Sequence, residues 1–335
     1  MSCDFSGDAP AGTRDRQKEA APANPERVSC PPTLASVEER ETCRPRLAAD
    51  CLILTGPTAA GKSAIALRMA QRLEAEIVSV DSVAVYRGLD IGSAKPSAEE
   101  QRLVPHHALD LVPASETFNV AAWLAAATEA VEAIRSRGRR ILFVGGTPLY
   151  LKALREGFDT RPPADAALRA AITERLEQQG AAALHRELSA HDPLAAARIH
   201  PNDARRLVRG LEVALSSRSA LACEQNTWNK PDDESLRVPM LIVDVPRALL
   251  AERIAARVQA MFASGLVAEV EAAEASTGIG PTARQAAGYS EVLAMLAGTL
   301  SRDEAIEQTI RRTRQLAKRQ RTWLRSFQNT VWVAG

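Results

Sequence analysis

The sequence predicts an α/β fold, a mainly parallel sheet flanked by helices and interrupted by a helical insertion. Two observations carry the prediction. From Cys51 onward, short apolar runs alternate with stretches of helical spacing, the rhythm of βαβ units. After Tyr150 the strand signal stops for about 90 residues and then resumes, which a helical insertion between two core strands explains most simply.

Taken in order, residues 1–48 are rich in proline and in charges of both signs and hold one aromatic, Phe5. Such a segment buries too little apolar surface to offset its ordering entropy, so a disordered tail is expected. It lacks the apolar core of a signal peptide and carries too many acids for a transit peptide. CLILT (51–55), EIVSV (76–80), HALDLV (107–112), ILFV (141–144) and LIVDV (241–245) read as buried strands. Lys62–Glu74 and Val120–Arg137 read as helices between them. The insertion, 162–232, is helical with breaks at Gly180 and Pro193, and the core is 49–161 with 233–335. The last stretch, 283–325, is helical and basic at its end.

The 335 residues balance 42 Lys and Arg against 41 Asp and Glu, a net charge of +1. This excludes a polyanion-coating protein but leaves room for a local basic patch. No apolar run approaches a membrane span of about 18–20 residues, so the chain reads as soluble with no membrane partner. The five cysteines, at 3, 30, 43, 51 and 223, show no C-x-x-C spacing and fit a reducing cytoplasm. Nothing demands a partner subunit, and a monomer is expected.

GPTAAGKS, 56–63, lies between a predicted strand and helix and fits G-x-x-x-x-G-K-[ST], which makes the core P-loop NTPase-like. Gly56, Pro57, Thr58, Ala59, Ala60 and Gly61 would turn backbone N–H groups onto a phosphate chain; Lys62 adds a mobile positive charge and Ser63 a hydroxyl for Mg²⁺. Asp81 and Ser82 follow the second strand, at the carboxyl end where open α/β sheets bind ligands. VGGTPLY (144–150) brings Thr147 to the same crevice. RIHPNDARRLVRGLEV (198–213) opens a helix capped by Asn202 or Asp203, with Arg205 and Arg209 on one face. RRTRQLAKRQRTWLR (311–325) has seven cations, no acid and one indole, a composition suited to a phosphate backbone.

Together with VDSVAVYRGLDIGSAKP (80–96), these motifs resemble those of the tRNA dimethylallyltransferase (tRNA isopentenyltransferase) family, from about residue 51 to 333. The resemblance implies transfer of a dimethylallyl group from dimethylallyl diphosphate to N6 of the adenosine beside the anticodon, with Mg²⁺ as cofactor and the tRNA anticodon stem-loop as partner. It implies Asp81 as base, Thr147 at the target adenine and Arg257 on the diphosphate. The tRNA contacts it implies begin at Asp81, Ser82, Val83 and Ala84, with Thr147 and Arg169. They continue at Arg205, Arg206, Leu207, Val208 and Arg209, then at Gln285, Gly288 and Tyr289. The last group is Lys318, Arg319, Gln320, Arg321, Thr322, Trp323 and Arg325.

Ala84 and Arg205 stand where many members carry Gln, and QAAGYSE (285–291) departs from the commoner QAIGYKE, all at RNA-contact positions. The C-terminal zinc finger of some eukaryotic members is absent from this sequence. The phosphate loop alone leaves a small-molecule kinase or NTPase open. An adenylate isopentenyltransferase is a third reading, although the basic segment argues against it.

Overall fold

A computed structural model describes residues 44–157, 166–216 and 237–335. The expected tail lies outside these residues except for 44–48, and these are folded. Leu47 is buried, Arg44 donates to the Arg155 carbonyl, and the Arg46 carbonyl accepts from Arg135 at 2.8 Å. Residues 44–48 thus belong with the core rather than with the expected tail.

Six parallel strands form one sheet in the order β3-β2-β4-β1-β5-β6. They are β1 (Cys51–Thr55), β2 (Ala75–Val80), β3 (His106–His107), β4 (Arg140–Gly145), β5 (Met240–Asp244) and β6 (Thr330–Ala334). The central strands are covered on both faces, and every residue of β2 is buried, which is why they read as continuous apolar runs. Two strands depart from the sequence reading. HALDLV supplies only His107 to β3, because Ala108 and Asp110 take φ of 59° and 52° and turn the chain out of the ladder. β6 was not expected; TVWVA is short and its Val331 and Trp332 are exposed, yet it pairs with all of β5.

Helices α1 (Lys62–Leu73), α2 (Ala98–Leu103), α3 (Val120–Ser136) and α4 (Pro148–Glu156) cover the first half of the sheet. In α3, Asn119 caps the start by accepting from Ala122 N at 3.0 Å. Val120, Trp123, Leu124, Ala127, Val131 and Ile134 then form its buried stripe. Trp123 stacks on Tyr150 of α4 at 4.7 Å between centroids and donates to the Ser79 carbonyl at 2.9 Å, so α3 also gauges the end of β2.

The insertion holds α5 (Ala166–Gln179), α6 (Ala181–His191), α7 (Pro193–Arg198) and α8 (Ala204–Ser216), broken at Gly180 and Pro193 as expected. Ile172, Leu184, Leu188, Leu207 and Leu211 give it a core of its own. Asp203 caps α8 through Arg206 N at 3.2 Å. The insertion's boundaries lie outside the described residues.

The chain returns through α9 (Arg247–Ala263), α10 (Leu266–Ser276), α11 (Tyr289–Leu296) and α12 (Arg302–Leu324). The stretch 283–325 is helical as expected, divided into a 3₁₀ turn and two helices with breaks at Gly288 and Gly298, where φ is 106° and 74°. Glu269 of α10 reaches across to the segment after β2. Its carboxylate accepts from the N–H groups of Asp90, Ile91 and Gly92 at 2.7, 2.6 and 3.1 Å and from the Tyr289 hydroxyl at 2.9 Å. Lys95, its side chain 3% exposed, closes the same segment by donating to Tyr86 O, Asp90 and Asp110. Replacing Glu269 with Ala strands these donors, and chemical denaturation is expected to show a loss of about 2–3 kcal/mol.

Candidate active site

The site is built by register. Thr55 of β1 and Val80 of β2 both pair with Gly145 of β4, so three loops leave the sheet at one level. A Cβ on Gly56 would lie 2.8 Å from the Val243 carbonyl, which keeps the phosphate loop close against β5. The loop then passes through positive φ at Ala59 (62°) and Gly61 (88°) into the N-terminus of α1. Lys62 Nζ folds back to donate to the carbonyls of Gly56 and Pro57 at 3.0 and 2.8 Å. Burial, and the nearby Arg257 cation, push its pKa down to about 8 against the attraction of Asp81.

At the end of β2, Asp81 Oδ1 accepts from the N–H groups of Val83 and Ala84 at 2.8 and 3.2 Å. The carboxylate is thereby held in one orientation while no described residue bonds Oδ2. Thr147, after β4, donates its own N–H to Val80 O at 3.2 Å, and its Oγ1 accepts from Ser82 N at 3.1 Å. Base candidate and threonine are tied through adjacent backbone.

Thr58, Lys62, Ser63, Asp81, Ser82 and Arg257 line one cavity of about 380 Å³. Arg257, on α9, forms no hydrogen bond with a described residue, and burial pushes its pKa below the usual value. Two cations held under desolvation in one cavity call for an anion. The described residues contain no cluster of three His, Cys, Asp or Glu able to cage a metal ion. Ser63 and Asp81 do present hard oxygens to the same cavity, the donor type that holds Mg²⁺ jointly with substrate phosphates.

The positions implied as RNA contacts separate into two groups. Arg205, Arg206, Lys318, Arg319, Thr322 and Arg325 are exposed, and Trp323 is half-buried. Arg169 and Arg209 pair with the buried Glu212 at 2.7 and 3.1 Å while keeping part of their surface. Ala84 is buried overall yet lines the cavity. Leu207 and Val208 are corrections, because both belong to the insertion's core. Gly288 and Tyr289 are also inside, the tyrosine fully buried against Glu269. Gln320 is buried, and Arg321 is spent on Asp244 at 3.0 Å and the Val245 carbonyl at 3.1 Å. Apart from Gln320, which also lines the cavity, these residues shape the fold behind the surface.

Sequence reasoning missed Arg312. It lines the cavity, bonds Ser290 Oγ, and meets Glu291 at 2.6 Å and Gln285 O at 2.9 Å. Its place within a uniformly basic run carried no signal that it pointed inward. Gln285 also accepts from Arg205 at 3.1 Å, so α8 of the insertion reaches the cavity's wall.

The IPP transferase family model matches residues 84–327, and the isopentenyl transferase model matches residues 49–109. A tRNA dimethylallyltransferase of Rhodopirellula baltica is 44% identical over 289 residues, covering 83% of this chain and 86% of the relative. One from Bordetella avium is 46% identical over 285 residues, covering 84% and 91%. Among solved structures, the tRNA isopentenylpyrophosphate transferase of Bacillus halodurans superposes with TM-score 0.59 at 37% identity, over 85% of this chain and 89% of that one. A eukaryotic dimethylallyltransferase acting on tRNA gives TM-score 0.69 at 26% identity, over 85% and 73%.

The depressed Lys62 pKa has a signed consequence. The ammonium loses its proton as pH rises through about 8, so the cavity's affinity for an anion falls there. A bound anion draws the pKa upward, which sets the decline at or above that value. Titration calorimetry with inorganic diphosphate between pH 6.5 and 9.5 reads the loss, and Lys62→Ala is expected to flatten it.

Proposed function

Because this chain belongs to the IPP transferase family, we propose that it moves a dimethylallyl group from dimethylallyl diphosphate to N6 of the adenosine 3′ of the anticodon in tRNA. The products are N6-isopentenyladenosine and diphosphate. The observation that carries this reading is the cavity itself, where a carboxylate with one free oxygen shares the space with two cations, Lys62 and Arg257.

The chemistry asks for these groups. The exocyclic N6 is a weak nucleophile because its lone pair is delocalised into the ring, so its proton must leave as the N–C bond forms. Asp81 Oδ2 is the acceptor; Oδ1 is committed to two backbone N–H groups that keep the carboxylate aimed. As the allylic C–O bond breaks, negative charge grows on the departing diphosphate. Lys62 and Arg257, both lining the cavity, stabilise it in this reading. Ser63 would hold Mg²⁺, which when bound would add Lewis-acid stabilisation of the leaving group. Thr147, whose Oγ1 accepts from the Ser82 N–H, orients the adenine in this reading.

An adenine must leave its stack to enter the cavity, at a cost of a few kcal/mol that contacts to the neighbouring nucleotides offset. The exposed cations of α8 and α12, Arg205, Arg206, Lys318 and Arg319, with Arg325 just beyond α12, supply those contacts in this reading. No helix among the described residues is long and apolar enough to cross a membrane, and a cytoplasmic monomer working on tRNA is the state proposed.

The direct test follows label from dimethylallyl diphosphate into unmodified tRNA while ATP hydrolysis is monitored. Labelled tRNA with ATP intact is expected; ATP consumption without label would return the chain to the kinase class. Asp81→Ala is expected to lower turnover by roughly 10²–10⁴ at nearly unchanged tRNA affinity. Lys318→Ala combined with Arg319→Ala is expected to do the reverse, weakening tRNA binding and reducing its salt slope by about two.

A further inference from the structure

Helix α12 carries the basic run, yet one residue in its midst points the other way. Gln320 is 6% exposed, and both ends of its amide are engaged within the chain. Oε1 accepts from the Thr58 N–H of the phosphate loop at 2.8 Å, and Nε2 donates to the Gly146 carbonyl at 2.7 Å. The opposite amide orientation would set donor against donor and acceptor against acceptor, so the partners dictate the assignment. Gly146 is bare where the side chain enters: a Cβ there would lie 2.7 Å from Nε2 and 3.0 Å from the Gly56 carbonyl. The next residue, Arg321, holds Asp244 and Val245 at the end of β5. One turn of α12 thereby grips the loops that follow β1, β4 and β5.

The two residues before Gln320 face solvent. Lys318 and Arg319 are exposed, and Arg319 also lines the cavity. We propose that Gln320 is a positioning residue that sets the phosphate loop against the Gly146–Thr147 loop and couples tRNA binding on α12 to the grip on the donor's diphosphate. A phosphate backbone seated on Lys318 and Arg319 immobilises the helix. The amide of Gln320 passes that restraint to Thr58, and hence to the loop that must meet the diphosphate. By linkage, donor binding tightens tRNA by the same factor. The residue then belongs to the diphosphate side of the reaction, although it sits in the segment that resembles an RNA contact.

The inference rests on the prenyl-transfer reading, and its test is arranged to fail separately. The full chain, Gln320→Met, Gln320→Glu and the Lys318→Ala/Arg319→Ala pair are compared, each checked by melting temperature. Calorimetry measures inorganic diphosphate affinity with and without unmodified tRNA, filter binding measures tRNA affinity against salt, and labelled donor gives kcat and KM. In the unaltered chain, tRNA is expected to tighten diphosphate by about fivefold or more. Gln320→Met, similar in volume but without either hydrogen bond, is expected to weaken diphosphate by about tenfold and abolish that enhancement. Its tRNA affinity and salt slope stay within about twofold, because no phosphate contact is lost.

Gln320→Glu supplies a readout that mere packing would not move, and it carries the test should the methionine variant fail to fold. The introduced carboxylate still accepts from Thr58 N–H but faces the Gly146 carbonyl with a second acceptor. Protonation restores a donor, so its transfer rate relative to the unaltered chain is expected to recover as pH falls. Loss of tRNA affinity in Gln320→Met with diphosphate binding untouched would overturn the proposal and make Gln320 an RNA contact. Unchanged coupling in both variants would overturn it as well. If the unaltered chain transfers no label while calorimetry still shows the coupling and its loss, the prenyl-transfer reading fails and the positioning role stands.

Discussion

The in-register pairing of β1, β4 and β2 is the constraint on which the site depends. Thr55 and Val80 flank Gly145, so the phosphate loop, the Asp81 turn and the Gly146–Thr147 loop all begin at the same height above the sheet. Glycine makes the approach possible, since a Cβ on Gly145 would overlap the backbone of Val80. Side chains then add direction to what the backbone has placed. The two N–H groups after Asp81 orient its carboxylate, and Ser82 orients Thr147. A site built from strand ends in this way needs little rearrangement to meet growing charge, which is where electrostatic catalysis gains most.

A net charge of +1 conceals a division of labour among the cations. Some pair with acids of the chain itself: Lys95 with Asp90 and Asp110, Arg169 and Arg209 with the buried Glu212, Arg312 with the buried Glu291, Arg321 with Asp244. A buried carboxylate such as Glu212 would be costly without them. Lys62 and Arg257 instead stay beneath the cavity with depressed pKa values, held ready for an anion. The exposed remainder on α8 and α12 faces solvent.

The long motif after β2 owes its length to a different task. From Tyr86 to Pro96 the chain has almost no regular structure, so its backbone groups need partners from elsewhere. Glu269 takes three consecutive N–H groups, Lys95 takes the Tyr86 carbonyl, and Tyr289 packs so closely that a Cβ on Gly92 would lie 2.5 Å from its ring. The result is a rigid wall, Gly92 to Pro96, on one side of the cavity.

The sequence determined what depends on local order. GPTAAGKS between an apolar run and a helical one, Asp81 directly after EIVSV, and VGGT after ILFV are all legible because strand, turn and helix each leave a short-range pattern. Gly180, Pro193 and Asp203 marked the insertion's breaks for the same reason. What failed was direction and distant partnership. HALDLV has the alternation of a strand, but two left-handed residues divert it, and β6 exists only because β5 offers an edge. In KRQRTW every residue looks like RNA-facing surface, yet the helical period turns Gln320 and Arg321 inward while Lys318 and Arg319 face out. Only the tertiary structure brings Gln320 to Thr58 and Gly146, 262 and 174 residues away in sequence. A side chain's partner is a property of packing, and no local pattern encodes which distant loop a helix will meet.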